Sequence, residues 1–240
     1  MRPEIAQQLL ELNHQFYQTF ADQFSATRQR LQPGVVRVIE TIPKTASLLD
    51  LGCGNGHLAA YLAEQGHTGH YIGLDTAPNL IEIAQQQKVP NAQFFQVDLA
   101  NPNWIEQFAG DIFTTIIAFA VLHHVPSDAL RTQFLHQVYQ LLAPDGLFIH
   151  SNWQFLNSSK LVARIQPWEN IGLTAEMVDK NDYLLDWRRG GKGLRYVHYF
   201  TSSELQWLAE QTGFTVKEEF TSDGASGDLG LYQLWEKARK

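Results

Sequence analysis

The order of elements along this sequence predicts an α/β fold, a largely parallel sheet with helices on both faces. Two observations carry that prediction. Apolar runs of strand length alternate with amphipathic stretches of helix length between residues 46 and 153. The first of those runs enters a glycine-rich turn that opens a helix, "SLLDLGCGNGHLAAYLA" at 47–63. Composition agrees: 240 residues, 44% hydrophobic and 18% charged, suit one large globular domain with a sizeable core.

Taken in order, Ile5, Leu9, Leu12, Phe16, Phe20 and Phe24 recur at three- and four-residue steps, so the chain opens with a helix carrying one apolar stripe. Pro33-Gly34 interrupts it and 35–42 resumes a short helical pattern. Residues 46–51 read as a strand, 57–65 as a helix, 70–75 as a strand, and 78–87 as a helix with proline near its first turn. Strands at 92–98 and 111–120 follow, then a helix at 127–142 stopped by "APDG", and a strand at 147–153. Over 154–196 the rhythm fails, and this stretch reads as an insertion or lid. A helix at 202–211 and strands at 214–220 and 229–235, joined by the turn "SDGASGD", would close the sheet with an antiparallel hairpin.

A net charge of −7 excludes a globally basic nucleic-acid binder, so any such surface must be local. The single cysteine, Cys53, excludes intrachain disulfides and suits a reducing compartment. The first residues lack the apolar core of a signal peptide, and the longest apolar run, 116–122, is too short to span a membrane. A soluble, cytoplasmic protein is expected.

Spacing decides which nucleotide the glycine turn suits. The dinucleotide fingerprint Gly-x-Gly-x-x-Gly requires a glycine at 57, where histidine stands. What the chain has is Asp50-x-Gly52-x-Gly54-x-Gly56, and on that loop it resembles the class I S-adenosylmethionine-dependent methyltransferases. The resemblance implies a Rossmann-like fold with a mostly parallel seven-stranded sheet, N-terminal helices and S-adenosyl-L-methionine as cofactor. Within one domain, 1–42 would be a helical cover, 43–153 the cofactor-binding core, 154–196 a substrate-side insertion and 197–240 the closing helix and hairpin. Asp50 would hold the loop or engage the ammonium end of the cofactor. Asp75, ending the second strand, is placed to accept from the ribose hydroxyls. Asp98 would accept from the adenine amino group, Thr76 and Leu99 would flank the purine, and Ala118 in the fourth strand completes the cofactor-contacting set. Any one aspartate at a strand end is ordinarily a cap or turn former. Three of them, with the glycine loop, point to a cationic ligand.

Four further stretches are similar to the tRNA wobble-uridine methyltransferases, which esterify a carboxymethyl group on that uridine: "FYQTFADQFSATR" (16–28), "AVLHHVPS" (120–127), "DYLLDW" (182–187) and "RYVHYFTSSEL" (195–205). The similarity implies that Tyr17 and Arg28 lie over the methionine and substrate end, His123 at the mouth of the pocket, and Arg195, Tyr196 and His198 on the substrate side. The chain departs from the pattern at Asp186, where a proline is expected, and across 147–153. Eukaryotic members of that family work with a small zinc-binding activator protein, so tRNA and such a partner are the expectations the resemblance adds.

The alternatives are a small-molecule O-, N- or C-methyltransferase on the same scaffold and a non-catalytic adenosylmethionine-binding module. His123-His124 invites a metal, but adjacent residues point apart and no second cluster has metal-ligand spacing, so no metal is expected. Cys53 reads as a small buried residue, and Trp153, Trp168 and Trp187 as core cover. The clearest local surface for tRNA is Arg188, Arg189, Lys192 and Arg195, joined by Arg28 and Arg30.

Overall fold

The computed structural model describes residues 1–26, 30–188 and 190–238. Helix α1 (Pro3–Ala26) is kinked at Phe20, whose backbone leaves the helical region, and is followed by α2 (Pro33–Ile39). The alternating core then runs β1 (Leu48–Leu51), α3 (His57–Glu64), β2 (Tyr71–Asp75), α4 (Pro78–Gln86), β3 (Ala92–Gln96), β4 (Phe113–Phe119), α5 (Asp128–Leu141) and β5 (Leu142–Trp153). An insertion follows with α6 (Ser159–Val162), β6 (Ile165–Gln166), β7 (Asp182–Trp187) and β8 (Gly193–His198). Helix α7 (Ser202–Thr212), β9 (Phe214–Ser222) and β10 (Gly230–Lys237) end the described chain.

The main sheet has seven strands in the order β3-β2-β1-β4-β5-β10-β9. The first five are parallel, and β10 lies antiparallel between β5 and β9. Its strand order reverses between β1 and β4, and in such sheets ligands bind at the carboxyl ends of the strands beside the reversal. Both faces are covered, which is why the strands read as nearly continuous apolar runs. Along β1 successive residues alternate between the two cores: Leu48 packs with Tyr71, Ile117 and helices α2 to α4, and Leu49 with Ile116, Phe148, α5 and α7.

Two elements differ from the sequence reading. Strand β5 begins at Leu142 rather than at 147. Phe113 pairs with Leu142 and Thr115 with Leu147, so "APDG" bulges out of the strand, with Asp145 at φ 59° making the turn. The stretch 154–196 is also more ordered than its mixed polarity indicates, because it folds into a second, antiparallel sheet β6-β7-β8. Its hydrophobic partner is α1, whose Ile5 and Leu9 pack with Trp168, Leu184 and Tyr196, while Phe16 and Phe20 pack with Trp187. Burying each such side chain stabilises the pairing by roughly 1.5–3 kcal/mol. The helix therefore does not stand alone as a cover; it is the second layer of the insertion. Among the described residues no helix is long and apolar enough to cross a membrane.

His150 sits inside this core on β5, stacked on Phe148 at 5.0 Å with the edge of Trp235 at 4.5 Å. Burial pushes its pKa down to about 3, so the ring is neutral and bonded to the Asn152 amide. A depressed histidine contributes stability that is full above its unfolded value of 6.5 and lost as pH falls toward 3. His150→Leu is expected to remove that loss. Urea unfolding from pH 7 to pH 4 should show the wild type losing up to about 1.4 kcal/mol per pH unit more than the variant. Parallel acid limbs would show that His150 does not titrate on unfolding.

Candidate functional site

A cavity of about 1000 Å³ opens at the carboxyl ends of β1, β2 and β4, beneath α1. Its floor is the glycine loop, where Gly52, Gly54 and Gly56 all have positive φ. Two of them show why glycine is required. A Cβ on Gly54 would meet nothing within 4 Å and so would project into the open cavity, leaving a bare backbone face as its natural state. At Gly56 a Cβ would come within 2.9 Å of Ala84, so this glycine lets α3 start hard against α4 and β3. Gly56 is thus a packing glycine and does not line the cavity.

Carboxylates ring that floor. Asp75 accepts from the Gly54 N–H and the Ala77 N–H, each at 2.9 Å, and so ties the glycine loop to the start of α4. Asp98 accepts from the Ala100 N–H at 2.9 Å and stays exposed to the cavity beside Leu99. Asp50 is almost fully buried at the end of β1 and accepts a hydrogen bond from the Tyr71 hydroxyl. Burial, against the help of Tyr71 and with the repulsion of Asp75, pushes its pKa up to about 7. Cys53 is buried between these groups, and its thiol is pushed up for the same reasons, burial first.

The roof comes from α1. His14 Nδ1 lies 3.2 Å from the Thr76 hydroxyl, and the Tyr17 hydroxyl lies 2.7 Å from His124 Nε2. Since His124 Nδ1 faces the Tyr196 carbonyl at 3.1 Å and must donate to it, Nε2 accepts from Tyr17. Asn13 fastens the same helix to β8, accepting from the Tyr196 N–H at 2.8 Å and donating to the Tyr196 carbonyl at 3.1 Å. His123 also lines the cavity, with Nδ1 accepting from the Trp153 N–H at 3.3 Å. The rings of His123 and His124 lie 4.3 Å apart, because a tight helical turn over Leu122–His124 folds them together rather than apart. Among the described residues no group of three or more His, Cys, Asp or Glu comes together as metal ligands.

Arg195 enters the cavity from β8. Only 7% exposed, it stacks between Trp153 at 4.7 Å, Phe16 at 5.4 Å and Trp187 at 5.7 Å, and its Nε has no hydrogen-bond partner. Among the described residues no acidic side chain pairs with it. So Trp153 and Trp187, expected only to cover the core, hold a guanidinium against the cavity, while Trp168 does pack in the core under α1.

Several expected site residues lie elsewhere. Ala118 is fully buried inside the sheet, one residue short of the strand end, and Phe119 and Ala120 line the cavity instead. Tyr196 and His198 do not line it either. Side chains alternate along a strand, so with Arg195 facing the cavity its neighbour Tyr196, and His198 two further on, face away. They meet Arg131 and Asp182 in a buried charged cluster. Tyr196 donates to Asp182 at 2.7 Å, Arg131 donates to the Tyr196 oxygen at 2.9 Å, and the two nitrogens of His198 face Asp182 at 2.7 Å and Glu204 at 2.8 Å. Burial alone would lower the His198 pKa, but those two carboxylates outweigh it and raise it. The basic surface also disperses: Arg195 is in the cavity and Arg188 is paired with Asp186 at 2.7 Å. Arg28 and Arg189 lie outside the described residues. Sequence reasoning missed Arg131 and Asn13 altogether; a fully buried arginine inside an amphipathic helix carries no local signal.

Residues 23–219 match the family model described as "Methyltransferase domain". A tRNA (carboxymethyluridine(34)-5-O)-methyltransferase of Arabidopsis thaliana is 30% identical over 151 residues, covering 63% of this chain and 34% of that protein. A 2-heptyl-1-hydroxyquinolin-4(1H)-one methyltransferase of Mycobacteroides abscessus is 33% identical over 124 residues, covering 49% of this chain and 51% of that one. The chain therefore spans about a third to a half of the length of these relatives. A solved structure, the DhpI-SAM-HEP complex, shares the fold with a TM-score of 0.69 at 18% identity, covering 95% of this chain and 97% of that one.

The Arg131 cluster makes a testable statement about stability. Asp182→Asn removes one carboxylate from a fully buried arginine and from His198, which is expected to cost about 3–5 kcal/mol. A raised histidine pKa contributes stability that is full below its unfolded value of 6.5 and lost as pH rises through the folded value. Urea unfolding should therefore show the gap between wild type and Asp182→Asn widest near pH 5.5 and narrower at pH 8.5. A gap independent of pH would rule out a charged His198.

Proposed function

Because the chain belongs to the methyltransferase-domain family, we propose that it transfers a methyl group from S-adenosylmethionine to an anionic oxygen of its acceptor. The observation that carries this reading is Arg195, a buried guanidinium without an acidic partner among the described residues, in the wall of the cavity that the glycine loop floors. When bound, S-adenosylmethionine supplies an electrophilic methyl carbon on a sulfonium. The residues present fit that group. Gly52 and Gly54 would underlie it, Asp75 would accept from the ribose hydroxyls, Asp98 from the adenine amino group, with Thr76 and Leu99 beside the purine and Tyr17 above. The carboxylates match a cation.

A carboxylate acceptor is already ionised at neutral pH, so the transfer needs no general base. What the chain must provide is alignment, which can supply up to roughly 7–11 kcal/mol of the barrier. Arg195 suits that task because its planar fork holds a carboxylate in one orientation. Its three aromatic neighbours restrict its rotamers before any acceptor arrives. His123 and Arg28 complete the proposed acceptor side, the latter on sequence resemblance alone.

A carboxymethyl group on a tRNA wobble uridine is the acceptor favoured by the Arabidopsis relative and by the stretches at 16–28, 120–127, 182–187 and 195–205. A second reading, a small anionic molecule, is favoured by the Mycobacteroides relative and by the dispersal of the basic surface, with Arg188 neutralised by Asp186. A small activator protein belongs to the tRNA reading only.

Labelled cofactor, offered with bulk tRNA and separately with small carboxylates, tests both, with nucleosides and products read by mass spectrometry. Arg195→Ala is expected to lower transfer 10- to 150-fold, roughly 1.5–3 kcal/mol, in protein that remains folded and binds the cofactor with unchanged affinity. Full activity in that variant would overturn the acceptor assignment. Absence of tRNA binding at low salt, with and without a candidate activator, would retire the tRNA acceptor. In calorimetry Asp75→Ala should weaken the cofactor by about 1–3 kcal/mol; unchanged affinity would remove Asp75 from the site.

A further inference from the structure

We propose that the acceptor is a small carboxylic acid with a flat apolar body, of the arylacetic type, and that the half of the cavity over β4, β5 and β10 receives that body. The inference rests on the reading that Arg195 holds an anionic acceptor, and it adds the acceptor's chemical class.

The sheet order divides the cavity. The glycine loop and the residues assigned to the cofactor's adenosine stand at the ends of β1, β2 and β3, whereas Phe119, Trp153 and Leu229 line the cavity at the ends of β4 and β5 and just before β10. Three neighbouring strands span about 10 Å at the usual spacing, room for a two-ring body. Phe119 pairs with Ser151, and Trp153 follows two residues later on the same face, so both rings border one space. Leu31 and Val35 line the same space and belong to one apolar cluster with Phe119. Leu31, Phe119, Trp153 and Leu229 are each only half-buried, and so offer apolar surface to an occupant.

The polar groups bordering this half are already engaged. Ser151 accepts from the Ala120 N–H at 3.1 Å, and Asn152 turns to His150 on the opposite face of β5. The oxygens of Asp223 accept from the Gly34 N–H at 2.9 Å and the Tyr232 hydroxyl at 2.6 Å. Arg30 and Gln32 stand at the exposed rim. The interior is therefore apolar surface with a cation at one end, where Arg195 lies 4.7 Å over Trp153. An acid with a flat apolar body buries that body there and sets its carboxylate against the guanidinium. A uracil ring in the same space would leave N–H and carbonyl groups without partners, which is costly. In the transfer one carboxylate oxygen bonds to the methyl carbon as the carbon–sulfur bond breaks. The electron pair of that bond goes to sulfur, and no proton moves.

The test is calorimetry of acids titrated into the protein saturated with S-adenosylhomocysteine. Affinity should rise from acetate to phenylacetate to naphthylacetate, by about tenfold at each enlargement. The nucleoside carboxymethyluridine, which carries the same head on a polar ring, should bind more weakly than phenylacetate. Leu31→Trp and Leu229→Trp, at half-buried positions, should narrow the space and cut the preference for naphthylacetate over acetate about tenfold. Binding of S-adenosylhomocysteine shows that each variant is folded. With labelled cofactor, naphthylacetate should yield its methyl ester, read by mass spectrometry. Affinity that does not grow with the body would overturn the apolar acceptor while leaving Arg195 in its role. Tighter binding and faster methylation of carboxymethyluridine or bulk tRNA than of naphthylacetate would do the same. Acid binding that is unchanged in Arg195→Ala, acetate included, would overturn the Arg195 assignment and this inference with it.

Discussion

One guanidinium with no solvent exposure fixes the geometry on which the site depends. Arg131 of α5 donates to the Val125 carbonyl at 3.0 Å, to Asp128 at 2.8 Å and to the Tyr196 hydroxyl at 2.9 Å, and lies 3.4 Å from Asp182. It thereby pins both long strands of the insertion sheet to the main domain. With Tyr196 held on one side of β8, pleating leaves Arg195 no direction but the cavity. A buried ion cluster is weak as a source of stability, because desolvation offsets most of its Coulomb attraction. Its value here is specificity of register: a one-residue slip of β8 would bury Arg195 in the cluster and turn Tyr196 into the site.

The cavity itself is an electrostatic compromise. Asp50, Asp75 and Cys53 gather beneath a loop with no side chains of its own, and burial works against ionising Asp50 and Cys53. Backbone N–H groups hold both oxygens of Asp75. Asp50 has Tyr71 instead, and that bond does not outweigh burial. Perturbed titratable groups gathered in a cleft are a mark of functional sites.

Helix α1 joins the two sheets by showing each a different face. Ile5, Leu9, Phe16 and Phe20 bury against the insertion, while His14 reaches Thr76 at the end of β2 and Tyr17 reaches His124 after β4. The aromatic stripe that identifies the helix in the sequence is therefore the part that fastens it. The largely polar face between, with Gln7, Glu11, His14 and Tyr17 at helical spacing, is the part that roofs the cavity.

The sequence by itself determined the alternation of strands and helices, the glycine loop and the acid residues at the strand ends. Each of these is local: a period of apolar residues, a positive φ, a strand terminus. The bulge at "APDG" and the insertion sheet were not legible, the first because a turn signal looks the same inside a strand as after a helix. The second was hidden because "DYLLDW" and "RYVHYF" are strands only once α1 supplies their missing face. Tertiary structure alone decided which members of "RYVH" meet the cavity. It placed Arg195 in an aromatic cage and Tyr196 and His198 in a charged cluster, because both outcomes depend on Arg131, 65 residues from Tyr196 in the chain. Sequence proximity brought those three residues together, and the alternation of a single strand divided them.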